Sequence, residues 1–248
     1  MLSKLVKDSW MLVRTDISRF RYGFLLTLVF TLYMSGIAAI GFFGVNRSEE
    51  HFSVIKWTFD FTVLLALPSF GFFFSSRSTR FMKEDTYTKW NMKLRTLPIS
   101  LQTIVTARIM HFFLALAVNF TLFFGVQYTI QILGADYFNN ELVFTLNNSA
   151  TVLLILLAYS IVTGTMYITM EVSKQGKTYA WFTWGYMVVI SIVTGVISYS
   201  GGSILASIMV VANQYAWIGG VIALIVSVLA VGLGYKTMFR ALRRRDFV

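Results

Sequence analysis

The sequence predicts an all-α integral membrane protein. It has six transmembrane helices, an N-terminal amphipathic interfacial helix, a short amphipathic helix in the cytoplasmic loop between spans two and three, and a re-entrant hairpin before span six. Three observations carry this expectation. Hydrophobic residues make up 56% of the 248 and charged residues only 13%, a balance no soluble domain of this length would show. Apolar runs recur, almost free of acids and bases, each long enough to cross a bilayer as a helix. All but two of the cations fall in the terminal segments and in alternate connections between those runs.

Taken in order, the first twenty residues read as an interfacial helix. Leu2, Val6, Trp10, Val13, Ile17 and Phe20 recur at helical spacing, with Lys4, Lys7, Arg14 and Arg21 mostly off that stripe. Span one covers about Gly23–Phe43 and span two about Val54–Phe74. Lys56 and Asp60 lie near the outer end of span two, four apart on one helix face, where they can neutralise each other. Pro68 lies deeper; it has no N–H to give to Leu64 and should kink the helix.

Span three, about Thr103–Leu133, is too long for the bilayer: some thirty residues at ~1.5 Å rise give roughly 45 Å against a core of about 30 Å. Asn119, Gln127 and Gln131 form a polar stripe on it, with His111 towards the cytoplasmic side. Such a stripe faces protein or water rather than lipid.

Span four, about Ala150–Met170, carries hydroxyls that can satisfy themselves on their own backbone, and Glu171 closes it near Lys174 and Lys177. Span five covers about Tyr179–Tyr199. Gly201 and Gly202 then break the helix, and Ile204–Ala212 is too short to cross, which reads as a hairpin returning to span six, about Tyr215–Tyr235. No repeat or linker interrupts the chain, so residues 1–248 read as one transmembrane domain.

An even number of spans puts both termini on one side. Nineteen of the 21 lysines and arginines fall in segments assigned inside, leaving Arg47 and Lys56 outside, so the termini are expected in the cytoplasm. The net charge of +10 is thereby explained by topology and contact with membrane lipids, not by nucleic acid. No cleavable signal peptide is expected, and the expected location is a plasma membrane, with a bacterial one as the expectation.

Catalytic chemistry is not expected of this chain. No cysteine is present, and the two histidines, His51 and His111, fall towards opposite faces. No HExxH, GxSxG or GxxxxGK[ST] occurs, so no metal site, catalytic residue or ATP site of those kinds is expected. The spans are nearly free of the mid-membrane charge an ion-driven carrier would use.

The segment Glu84–Pro98 reads as a helix outside the membrane. Tyr87, Trp90, Leu94 and Leu97 form its apolar stripe, Lys89 and Lys93 flank it, and Glu84 and Asp85 sit at its start. Pro98 ends it and Ser100 can cap the long span that follows. An aromatic knob with basic flanks can rest on lipid or dock in a groove of a soluble partner.

This stretch, EDTYTKWNMKLRTLPISLQTIVTAR, resembles the segment after span two in permeases of the type-2 ATP-binding cassette exporter family, the type V exporter fold. Leu97, Pro98, Ile99, Ser100 and Arg108 match its pattern, and the six-span architecture matches along the whole chain. The resemblance implies two permeases, paired as homo- or heterodimer. Each docks a separate cytoplasmic ATPase that binds ATP and Mg, and this chain holds no cofactor of its own. Glu84, Tyr87, Trp90, Lys93, Leu94, Leu97 and Pro98 would then belong to the coupling helix. Gly201, Gly202 and Ile204 would form the outer gate, and Pro68, Asn119, Gln127 and Gln131 would line the substrate path. Small outer loops and phenylalanine-rich walls favour an amphipathic or hydrophobic substrate: a peptide toxin or antimicrobial, a drug or a lipid. The rival readings are a non-transporting sensor or immunity subunit, a membrane-embedded lipid-modifying enzyme and an ion-coupled carrier.

Overall fold

The computed structural model describes residues 2–19, 21–45, 52–73, 86–138 and 146–244. Every regular element among them is an α-helix: α1 (Leu2–Arg19), α2 (Arg21–Val45), α3 (Phe52–Ser69), α4 (Thr86–Arg95), α5 (Leu101–Phe138), α6 (Leu146–Ser173), α7 (Gly176–Tyr199), α8 (Ile204–Gln214) and α9 (Ala216–Arg244). Helices α2, α5, α6, α7 and α9 are long and apolar enough to cross a membrane, so the chain is a multi-pass membrane protein.

Helix α3, expected as the second span, is not among those five. It has 18 residues, about 27 Å at ~1.5 Å per residue. It ends at Ser69, short of the expected Phe74, for a local reason. Pro68 withholds one N–H, and the chain then turns, with the Phe70 and Phe72 amides donating to Leu67 O at 3.3 Å and Ser69 O at 3.0 Å.

The third apolar run makes a longer helix than expected. Helix α5 spans 38 residues, roughly 57 Å at ~1.5 Å rise. Ser100 caps it as the sequence suggests, its Oγ accepting from the Thr103 amide at 3.1 Å. Before it, the Ile99 amide donates to Leu97 O at 2.8 Å, a three-residue turn centred on Pro98 that joins α4 tightly to α5.

The stripe expected on α1 is only partly the buried one. Ser9 and Val13 are buried against α5, with the Ser9 hydroxyl donating to Thr103 O at 3.2 Å. Val6 and Trp10 face outward at 49% and 47% exposure, beside exposed Lys4, Lys7 and Arg14. Docking on α5 rotates the helix so that positions 9, 13 and 17 turn inward while 6 and 10 stay available to headgroups.

Helix α6 is the centre of the bundle, packed mainly on α9 and also on α3 and α8. Close approach here depends on missing side chains. Phe112 of α5 lies where a Cβ on Gly71 or on Gly164 would have to be, and Thr165 occupies that place beside Gly234 of α9. Gly164→Val therefore overpacks the site. It is expected to cost about 2 kcal/mol, read as a lower thermal midpoint in detergent, and Phe112→Ala on top of it should recover part of the loss.

Away from their charged ends, the outward large side chains of α2, α7 and α9 are apolar, as lipid requires. Trp181 and Trp184 lie at one end of α7, and Tyr199 at the other with Trp217 beyond it. All are mostly exposed, and they mark two levels like the aromatic belts of membrane interfaces. The hydroxyls of α6 largely bond back to their own helix, such as Ser160 to Leu156 O at 3.0 Å and Thr169 to Thr165 O at 2.8 Å.

Candidate functional site: an apolar cavity lined by an ion pair

The proline break in α3 generates the site. Without an N–H at Pro68, the Leu64 carbonyl lacks its helical donor, and the Tyr159 hydroxyl of α6 supplies one at 3.0 Å. Tyr159 in turn bonds Tyr186 of α7, so one carbonyl freed by proline ties three helices together. Beyond the break, Phe70 O accepts from Asn119 Nδ2 at 3.0 Å, and Asn119 Oδ1 accepts from the Thr31 hydroxyl of α2 at 3.1 Å. Phe70–Phe73, no longer helical, then bend across the bundle.

Between these helices lies a cavity of about 530 Å³, a volume in the range of small-molecule sites. Phe24, Phe30, Phe61, Phe72, Phe112 and Tyr167 are among its walls, and Pro68 is part of its lining. One end is polar. There Arg108 Nη2 of α5 meets Glu171 Oε1 of α6 at 2.7 Å, with both side chains largely buried at 13% and 5% exposure. His111, one turn along α5, and Asp16 of α1 complete this end, and the His111 ring packs on Phe73 with centroids 5.5 Å apart. The expected neighbours of Glu171 were Lys174 and Lys177, but both point to solvent and the partner comes from another helix.

Asn119 and Gln127 are buried between helices rather than lining this cavity. Asn119 links α3 and α2, and Gln127 Nε2 donates to Ser35 O at 3.5 Å. Their visible role is helix–helix hydrogen bonding. The Gln131 side chain lies outside the described residues.

A second polar cluster holds the hairpin after α7. Gly201 has φ +82°, a conformation that side-chain-bearing residues rarely adopt, and it lets the chain reverse into α8. The carboxylate of Asp60, fully buried on α3, accepts from the Ser203 hydroxyl at 2.9 Å, the Ile204 amide at 2.6 Å and the Leu205 amide at 3.3 Å. It thus caps the start of α8 from another helix, where the helix dipole favours an anion. Lys56 donates to Gly201 O at 3.1 Å and also acts electrostatically on Asp60. The expected Lys56–Asp60 pair is therefore part of a larger tether between α3 and the hairpin that carries Gly201, Gly202 and Ile204.

Of the stripe expected on α4, Trp90 and Leu94 turn inward while Leu97 is exposed. Leu94 is buried at 6% exposure, and Trp90 packs on the core with the Arg19 guanidinium 5.9 Å from its ring centroid. With Leu12, Val13 and Ile104 they border a smaller cavity of about 140 Å³ between α1, α4 and α5. Lys89, Met92, Lys93, Arg95, Leu97 and Pro98 form the outward side. Glu84 lies outside the described residues, as does the side chain of Tyr87.

Among the described residues no three His, Asp or Glu side chains converge as metal ligands would. Comparison with family models, with curated proteins and with solved structures returns no match. The cavity is walled mainly by aromatic side chains, and the charged residues of its lining are Asp16, Arg108 and Glu171.

Proposed function

We propose that this chain is the transmembrane permease subunit of an ATP-driven exporter, working with a separate cytoplasmic ATPase and a second permease, a copy or a paralogue. In this reading α3 is the second of six spans, its polar end tethered at the outer face by Asp60. Both termini are cytoplasmic, and the membrane is the bacterial plasma membrane. The observation that carries the reading is the continuity from α4 to the cavity. Helix α4 is joined through the Pro98 turn to α5, and Arg108, two turns into α5, forms the polar end of the cavity. A push on α4 would be delivered to the Arg108–Glu171 contact and would move the end of the chamber. The chain has no phosphate-binding loop, so the push would come from a partner that binds ATP and Mg.

The inward turn of Trp90 and Leu94 changes where that partner would touch. The stripe expected to dock becomes the hinge that transmits force, and the outward face with Lys89, Met92 and Lys93 becomes the contact. Arg108–Glu171 would gate the cytoplasmic end, and the hairpin at Gly201–Ile204 the outer end.

The absence of cysteine makes the test direct. A thiol-anchored photo-cross-linker is placed at Met92→Cys, and separately at buried Leu94→Cys, in membranes of the native host. The expected product is an adduct from position 92 with a protein that carries GxxxxGK[ST], lost when Lys89→Glu/Lys93→Glu is added. Adducts with lipid alone from position 92, in membranes where the chain is assembled, would contradict the proposal.

A further inference from the structure

We infer that the outward face of α9 holds an anionic phospholipid, with its acyl chains along the apolar part of the helix and its phosphate among the cations at the C-terminal end. This rests on the chain's being a membrane protein and not on the exporter reading. Helix α9 buries one side: Gly234 lies against Thr165 of α6, and Met238 and Leu242 are fully buried. At about 3.6 residues per turn, Lys236, Arg240, Arg243 and Arg244 fall on the opposite side, and all are exposed. Towards the other end of the helix, that same face carries Ile218, Ile222, Ile225, Leu229 and Leu233, each more than half exposed. An apolar stripe therefore leads directly into a cluster of cations.

Depth matches as well. From exposed Trp217 to Tyr235 the helix rises about 27 Å at ~1.5 Å per residue, close to a hydrocarbon core of about 30 Å. Lys236 is the next residue, so the cations begin at the headgroup layer, and their long side chains can stay in it. No acidic residue occurs in α9, and among the described residues none of these cations makes an ion pair or a side-chain hydrogen bond. Guanidinium groups bind phosphate through paired hydrogen bonds, whereas a choline headgroup brings a cation of its own to the cluster. A comparison within the molecule separates a site from a general excess of charge. Thr151 and Ile155 lie against Gly219 and Thr165 against Gly234, so α6 and α9 run parallel. Lys174, just past the end of α6, thereby reaches the depth of Arg240, with Lys177 following at the start of α7. Helix α6 lies on the buried side of α9, away from the stripe, so these two lysines share the depth without the apolar face.

The test is native mass spectrometry of the purified full chain in mild detergent. It is titrated with phosphatidylglycerol and, in parallel, with phosphatidylcholine of the same acyl chains, and thermal melts verify that each variant is folded. The expected result is at least fivefold tighter binding of phosphatidylglycerol. Arg240→Gln/Arg243→Gln should abolish that preference, Arg240→Lys/Arg243→Lys should keep it, and Lys174→Gln/Lys177→Gln, which removes the same charge at the same depth, should change it less than twofold. Glycerophosphoglycerol, the same headgroup without acyl chains, should not displace the lipid at tenfold excess. Equal affinity for the two lipids, an equal loss in the Lys174→Gln/Lys177→Gln variant, or displacement by glycerophosphoglycerol would each overturn the inference. So would a disulfide-linked dimer of Leu229→Cys, the chain's sole thiol, in native membranes, because a second copy would then cover the stripe.

Discussion

Asp60→Leu is expected to destabilise the protein by about 3–5 kcal/mol and to free the hairpin after α7. The carboxylate is fully buried and accepts from three donors, the Ser203 hydroxyl and the Ile204 and Leu205 amides. Leucine fits the space poorly as a replacement because it leaves all three donors unsatisfied at the start of a helix. It also leaves Lys56 without its favourable electrostatic partner and α8 without the anion at its positive end. Asp60→Asn should fall between: its amide oxygen can still accept, but the charge is gone. The checks are the thermal midpoint in detergent and hydrogen exchange at Ile204 and Leu205. Their protection should drop most in the leucine variant, while amides in the middle of α6 keep theirs. Uniform loss of protection across the bundle would mean that Asp60 supports the fold at large and not the hairpin.

The second large effect belongs to Arg108 and Glu171. Either single change, Arg108→Met or Glu171→Met, leaves its charged partner buried, at an expected cost of about 3–5 kcal/mol. The double change Arg108→Met/Glu171→Met removes both charges and should recover most of that loss, because two well-packed apolar side chains replace a desolvated pair. Stability and activity should then part company. The double variant is expected to melt close to the wild type yet to have lost the polar end of the cavity, and with it any charge selectivity. A double variant as unstable as the singles would show that other groups near this site, His111 and Asp16 included, depend on the pair.

Much of this architecture was legible because its causes are local. Pro68 announces a break wherever a helix contains it, and the Gly201–Gly202 pair marks the reversal before α8. Ser100 reads as a cap from its place after Pro98. The long apolar runs need no tertiary information to become α2, α5, α6, α7 and α9. What stayed hidden is what helices do to each other. Asp60 and its three donors are separated by more than 140 positions, and Arg108 and Glu171 sit on different spans. One faint signal was available for the ion pair: opposite charges near the same end of otherwise uncharged helices.

The stripes on α1 and α4 taught a related lesson. Periodicity tells that a face is covered without telling by what. Val13 is covered by this chain's own α5 and Leu94 is buried in this chain's own core, whereas Val6 and Trp10, on the same expected stripe as Val13, face outward. The cavity itself had no sequence signature, since phenylalanine-rich spans look alike whether they face lipid, protein or empty space.

The exporter proposed above would be driven by a separate ATPase. The most direct measurement is ATP hydrolysis by the tagged chain purified from native host membranes in mild detergent, with the bound proteins identified alongside. A nucleotide-binding partner is expected to co-purify, and the complex to hydrolyse ATP with Mg. Lys89→Glu/Lys93→Glu is expected to lose both partner and activity while the chain remains folded. A folded, lipid-retaining preparation that carries no ATPase and hydrolyses no ATP would contradict it.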